Sequence, residues 1–167
     1  MNSEELDKRY ERMYKEAESI FPTFINQQSR ELRKYPELNK QPRTKITDFR
    51  TLIVEIWKIS NKEYQERFWV RQELPMRGDN FMETVMTFNE DTRAVLDTSD
   101  YAVEMTDKQR DMLKNLYDMI DIFEDDPETP EDLGYGENDE AIVNDPKWHK
   151  VREYAKLVYM ELTGDKI

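Results

Sequence analysis

The side chains able to do chemistry in this 167-residue chain are its carboxylates, 37 Asp plus Glu, set against one histidine and no cysteine. Asp118, Asp121 and Asp125 recur at steps of three and four. That spacing puts them on or near one face of a helix, where they suit a hard cation or an acid–base pair. A calcium loop needs acids at alternate positions, a mid-loop Gly and a terminal Glu, and neither Asp118–Asp126 nor Asp132–Glu140 has that order. A solvated acidic face is the plainer reading. His149 and Glu153 lie four apart, as a metal pair or a base with its orienting partner would. A dinuclear helix-bundle site needs a second histidine, so this pair reads as exposed helix surface. The chain has neither a Gly-x-Ser-x-Gly elbow nor a Gly-x-x-x-x-Gly-Lys phosphate loop. Without cysteine there is no thiol nucleophile, disulfide or thiolate metal site. Arg77-Gly78-Asp79 matches a short adhesion tripeptide, but so short a match arises by chance and here falls in a turn before a helix. The expectation is a non-enzyme, with no catalytic residue, metal or cofactor.

The elements that must position these carboxylates are helical. Leu6, Tyr10, Met13, Tyr14, Ala17, Ile20 and Phe21 form one amphipathic stripe ended by Pro22, and a short second helix is expected over 26–34. Thr47 with Asp48 is expected to start a helix whose inward face is Phe49, Leu52, Ile53, Ile56 and Trp57. Tyr64, Phe68 and Trp69 continue it, either in one piece or after a break at Ser60-Asn61. The run Leu52–Ile56 has strand-like composition, but its flanks keep the helical period and hairpin turn signals are missing. Asp79 or Asn80 then caps a helix facing inward through Phe81, Met82, Val85, Met86 and Phe88. Thr106 with Asp107 caps another, carrying Met112, Leu113, Leu116, Tyr117, Ile120 and Phe123. Asp145-Pro146 opens the last, with Trp148, Val151, Ala155, Val158 and Leu162 inward and Gly164 closing it. Tyr10, Tyr14, Tyr64 and Phe68 are expected in the core. The pattern predicts an all-α single domain over 1–167, a bundle of about five or six helices with one long acidic loop at 125–144. Four glycines are too few for the phosphate-gripping turns of nucleotide-binding α/β folds.

Charge separates the two halves of the chain. Residues 1–75 carry 15 basic and 13 acidic side chains, and residues 76–167 carry 10 and 24. Between Asp118 and Asp145 stand twelve acids and no Lys or Arg, as many negative charges as the net charge of −12 for the whole chain. Such a surplus disfavours binding to nucleic acid or to an anionic membrane surface. No stretch is long and apolar enough to span a bilayer, and Met1-Asn2-Ser3-Glu4-Glu5 lacks the basic start of a secretory signal. A cytoplasmic protein is expected. The candidate partner-binding residues are Asp118, Asp121, Glu124, Asp125, Asp126, Glu128, Glu131, Asp132, Glu137, Asp139 and Glu140, with Tyr135 as an apolar anchor and Ile142 a further apolar side chain in the segment. The bland alternative is a flexible, solubilising loop.

Three pieces carry a likeness to a known group: Trp69-Val70-Arg71 through Asp79-Asn80-Phe81-Met82-Glu83-Thr84; Phe123-Glu124-Asp125-Asp126-Pro127; and Asn144-Asp145-Pro146-Lys147-Trp148. Over somewhat more than half of the chain, from Trp69 onward, it resembles small acidic helical immunity proteins of bacterial polymorphic toxin systems, including contact-dependent growth inhibition. The resemblance leaves residues 1–68 unaccounted for and contains no catalytic motif. It implies a cytosolic antidote that binds and blocks a cognate toxin domain, often a basic nuclease. Two other readings stay open at this point, a DNA mimic that occupies a nucleic-acid-binding protein and an enzyme that uses carboxylates.

Overall fold

In the computed structural model the chain divides into two compact units, Met1–Pro42 and Arg43–Ile167. The structure describes Lys8 and residues 44–97, 103–131 and 136–167. The two helices expected before residue 35, and both Asp132 and Tyr135, lie outside the described residues.

The second unit is all-α, as the periodicity predicts, with one small addition. Thr44–Lys45 (β1) and Val103–Glu104 (β2) pair in parallel, Thr44 opposite Val103 and Lys45 opposite Glu104. This pairing keeps the chain extended through Lys45, and a 3₁₀ turn, Ile46–Asp48, follows. The first long helix, α1 (Arg50–Ser60), therefore starts three residues later than Thr47 would have started it. Leu52, Ile56 and Ile59 are fully buried on it, so the β-branched run is helix. Asn61 leaves the helix in an extended conformation, and its side chain accepts a hydrogen bond from the Tyr64 N–H at 2.9 Å. That cap decides for two helices over one. After it α2 (Lys62–Tyr64) runs directly into a π-helical segment, Gln65–Val70.

Asn80, not Asp79, caps α3 (Phe81–Leu96), accepting from the Glu83 N–H. Its buried stripe is Phe81, Thr84, Val85, Phe88, Thr92 and Val95. Met86, expected inward, is exposed, because Thr84 and Thr92 hold the stripe at three- and four-residue steps and 86 faces away. Helix α4 (Asp107–Asp125) opens with a reciprocal capping box between Thr106 and Gln109. A five-residue helix, α5 (Asp139–Val143), falls within the segment expected to be loop. In α6 (Pro146–Thr163) Asp145 is the N-cap, Pro146 the first residue, and Gly164, at φ +78°, returns its N–H to Met160 O at 2.8 Å.

Helix α1 packs on α3 and α6, and α4 packs on α6. Trp69, Phe81, Phe123 and Trp148 meet at one end of this packing, with ring centroids 5.0 Å (Phe81–Trp148), 5.1 Å (Phe123–Trp148) and 5.9 Å (Trp69–Phe81) apart. Four elements are thus joined through aromatic contacts, each worth somewhat more than its buried area alone. The C-terminal turn of α4 and the N-terminal turn of α3 converge here, and the acidic segment starts from this point.

Candidate functional site: the acidic face of α4 and its following loop

Helix α4 divides its residues between two faces. Leu113, Leu116, Ile120 and Phe123 are buried, while Asp111, Asp121, Ile122, Glu124 and Asp125 are exposed. Asp118, half-buried, pairs with Lys114 at 2.8 Å on the solvent side, an i,i+4 contact that water and salt screen and that adds little to stability. Ile122 stands 69% exposed, with Asp118 one turn before it and Asp125 one turn after. The last turn of α4 contains no basic residue, so its carboxylates add to the negative end of the helix dipole instead of offsetting it.

Asp126 takes the chain out of the helix. One of its oxygens accepts from the Glu128 N–H at 2.9 Å and the other from Lys147 Nζ at 2.7 Å. Lys147 also lies 3.6 Å from Glu128. The Lys147 hydrogen bond, aided by the Glu128 N–H, holds the Asp126 carboxyl below the usual range, and Lys147 is raised in turn. Two cations just outside the base-free stretch, Lys114 and Lys147, therefore satisfy Asp118, Asp126 and Glu128. Glu124, Asp125, Glu131, Glu137 and Glu140 remain exposed. Between the end of α4 and the loop 126–131 lies a cavity of about 370 Å³, lined by Phe81, Phe123, Pro127 and Pro130 together with carboxylates of the segment.

The far arm of the segment is built differently. Asn138 Nδ2 reaches back to Glu131 O at 2.8 Å. Gly136, at φ +78°, passes so close to the π segment that an added Cβ would lie 3.3 Å from Trp69 O. Asp139 is 1% exposed and accepts the Phe81 N–H at 2.8 Å. The sequence reading placed Asp139 on a binding surface. The structure instead makes it a second cap for α3, a carboxylate on the positive end of a helix dipole. Ile142, read as an apolar side chain in the acidic segment, is 0% exposed and packs in the core. Residues 136–143 are therefore anchored, and Ile122 takes the place of an exposed apolar side chain. Its signal in the sequence is an isoleucine off the Leu113–Leu116–Ile120–Phe123 stripe.

The other candidates lie elsewhere. His149 and Glu153 are exposed on α6, and Glu153 accepts from Lys156 at 2.8 Å, which holds its carboxyl low. Asp79 of the adhesion-like tripeptide turns inward, accepting from Tyr64 Oη and Thr84 Oγ1 and lying 3.3 Å from Lys58 Nζ. Glu55 shares that lysine at 3.2 Å, and burial pushes its carboxyl up. A second buried polar group centres on Gln65, whose Oε1 accepts from Trp148 Nε1 and from Arg152. Sequence reading missed both groups, although Glu55 and Arg152 fall on apolar stripes, which is the available signal. Among the described residues, no group of three or more His, Cys, Asp or Glu is placed to hold a metal ion, and no helix is long and apolar enough to cross a membrane. No protein-family model matches the chain, and no curated protein or solved structure is significantly similar to it.

Proposed function

We propose that this chain is an immunity-type inhibitor, which uses the exposed carboxylates of α4 and its following loop to cover a basic surface of a cognate toxin domain. The observation that carries the reading is Ile122, 69% exposed and set among Asp118, Asp121 and Asp125 on a helix face. Like charges crowded on one face repel each other, and a positive partner relieves that repulsion while steering its own approach. An apolar side chain in the middle of such a face adds what charge alone lacks, a desolvated centre with a polar rim. A solubilising loop has no use for it. The reading places the chain in the cytoplasm of the cell that must survive the toxin, with no substrate or cofactor of its own.

The test is capture from the source cell with the wild-type chain and with Asp121→Lys/Asp125→Lys, followed by association kinetics of what is caught. A basic protein domain should bind the wild type in a one-to-one complex. Its association should slow as salt rises from about 50 to 300 mM, since the Debye length falls to below about 8 Å over that range. The lysine variant should bind at least about tenfold more weakly. A partner that binds both forms equally, with no salt dependence, would refute the surface. A partner released by competing duplex DNA would move the reading to a DNA mimic.

A further inference from the structure

The cavity at the end of α4 has a composition that selects its occupant. Its volume of about 370 Å³ is near the lower end for small-molecule sites, which run to about 1,000 Å³ and are mostly apolar. This one mixes apolar and carboxylate side chains in its lining. Phe81 and Phe123, both buried, meet beneath it with ring centroids 6.1 Å apart, and Pro127, Pro130, Asp125 and Glu131 also line it. An apolar ligand would strip water from those carboxylates without replacing it, and an anion would be repelled. A long cationic side chain meets both demands, its stem along Pro127 and Pro130 and its head among the acids. The chain itself already shows that chemistry nearby: the Lys147 ammonium sits on Asp126 and Glu128 of the same loop. The negative end of the α4 dipole, with no basic residue in its last turn, points the same way.

We propose that this cavity seats one arginine or lysine side chain of the partner protein, its stem along Pro127 and Pro130 and its head at the Asp125 and Glu131 carboxylates. The assignment rests on the reading of the acidic face as a surface for a basic protein and deepens it, because it turns a diffuse charge attraction into one specific anchor. Ile122, immediately before Phe123 on α4, would then lie under the residues flanking that anchor.

The probe is acetyl-Gly-Gly-Arg-Gly-Gly-amide, titrated into the full chain at constant ionic strength and followed by NMR. Its counterpart with citrulline in place of arginine keeps the shape and removes the charge. The arginine peptide should shift the Phe81, Phe123 and Thr129 signals saturably, and the citrulline peptide should bind about tenfold more weakly. Asp125→Asn/Glu131→Gln should weaken the arginine peptide about fivefold or more, whereas Asp111→Asn/Asp165→Asn, which removes as much charge elsewhere, should leave it unchanged. Equal weakening by both double variants would show diffuse attraction and overturn the seat. Equal binding of the citrulline peptide, or no saturable shift up to about 10 mM, would overturn it as well. So would displacement of the peptide by calcium chloride at matched ionic strength, which would assign the cavity to a metal. If a basic protein is captured but the peptide does not bind, only this inference fails. If the peptide binds as stated but no basic protein is ever captured, the inhibitor reading fails and the seat stands.

Discussion

Asp139 shows how one carboxylate leaves an acidic surface and becomes part of the fold. Its neighbours Glu137 and Glu140 are exposed, yet its own side chain is 1% exposed and receives the Phe81 N–H at 2.8 Å. The first N–H groups of a helix have no partner within it, and a buried one left unpaired costs its full desolvation. Asp139→Ala should therefore destabilise the protein by about 1–3 kcal/mol, read from the shift in urea midpoint at unchanged slope. Glu140→Ala, one residue on and exposed, should change stability by less than about 0.5 kcal/mol. Equal effects would mean that the Phe81 bond is not what holds this arm. Gly136 belongs to the same anchor, since its φ of +78° strains any side chain and an added Cβ would crowd Trp69 O at 3.3 Å.

At the level of elements, the π segment Gln65–Val70 joins the end of α1 to the rest of the core. Gln65 and Trp69, four residues apart and so on one face, are both fully buried. Gln65 donates to Lys58 O and Ile59 O, carbonyls at the end of α1, at 2.8 and 2.7 Å. Its oxygen receives Trp148 and Arg152 from α6, and Arg152 goes on to Val143 O of α5 at 2.7 Å. One amide thus ties α1 to α6, and Arg152 carries the tie on to α5. Burial draws the Arg152 guanidinium down from its usual range, and its close acceptors Gln65 and Val143 are neutral, so the charge depends on good geometry. Gln65→Ala and Arg152→Ala should each cost about 3 kcal/mol or more. The double variant should cost clearly less than their sum, with a coupling of about 1–3 kcal/mol. Additivity to within about 0.5 kcal/mol would show that the two side chains do not act as a unit.

Across the whole molecule the decisive quantity is where charge is left unanswered. The net charge is −12, and the ion pairs Lys114–Asp118 and Lys147–Asp126 answer only part of the surplus on the acidic side. A chain so charged is held back from its compact state by self-repulsion, which salt screens. The melting temperature should accordingly rise between about 10 and 300 mM sodium chloride, and the rise should shrink when Asp121 and Asp125 are neutralised to Asn. A melting temperature that falls with salt would mean that attractive pairs outweigh the surplus. The same imbalance gives the proposed complex its fast, salt-sensitive association, while Ile122 and the Phe81–Phe123 cavity would give it lifetime.

Among the described residues, the sequence by itself determined the four long helices and most of their inward stripes. Leu113, Leu116, Ile120 and Phe123, or Trp148, Val151, Ala155 and Val158, read directly as core because a 3.6-residue period and the capping residues are local properties of the chain. It also determined that a block of acids follows α4. Tertiary structure decided which of those acids face water. Asp139 and Ile142 were drawn inward by a helix N-terminus and a core that lie far away in the sequence, whereas Ile122, off the stripe of α4, faces water as its position in the sequence implies. The parallel pairing of Thr44–Lys45 with Val103–Glu104, the Gln65 hub and the aromatic-based cavity are likewise products of long-range packing. Periodicity reports only which side of an element is apolar. What that side meets, and which polar atoms must be satisfied where it meets it, is set when the elements come together.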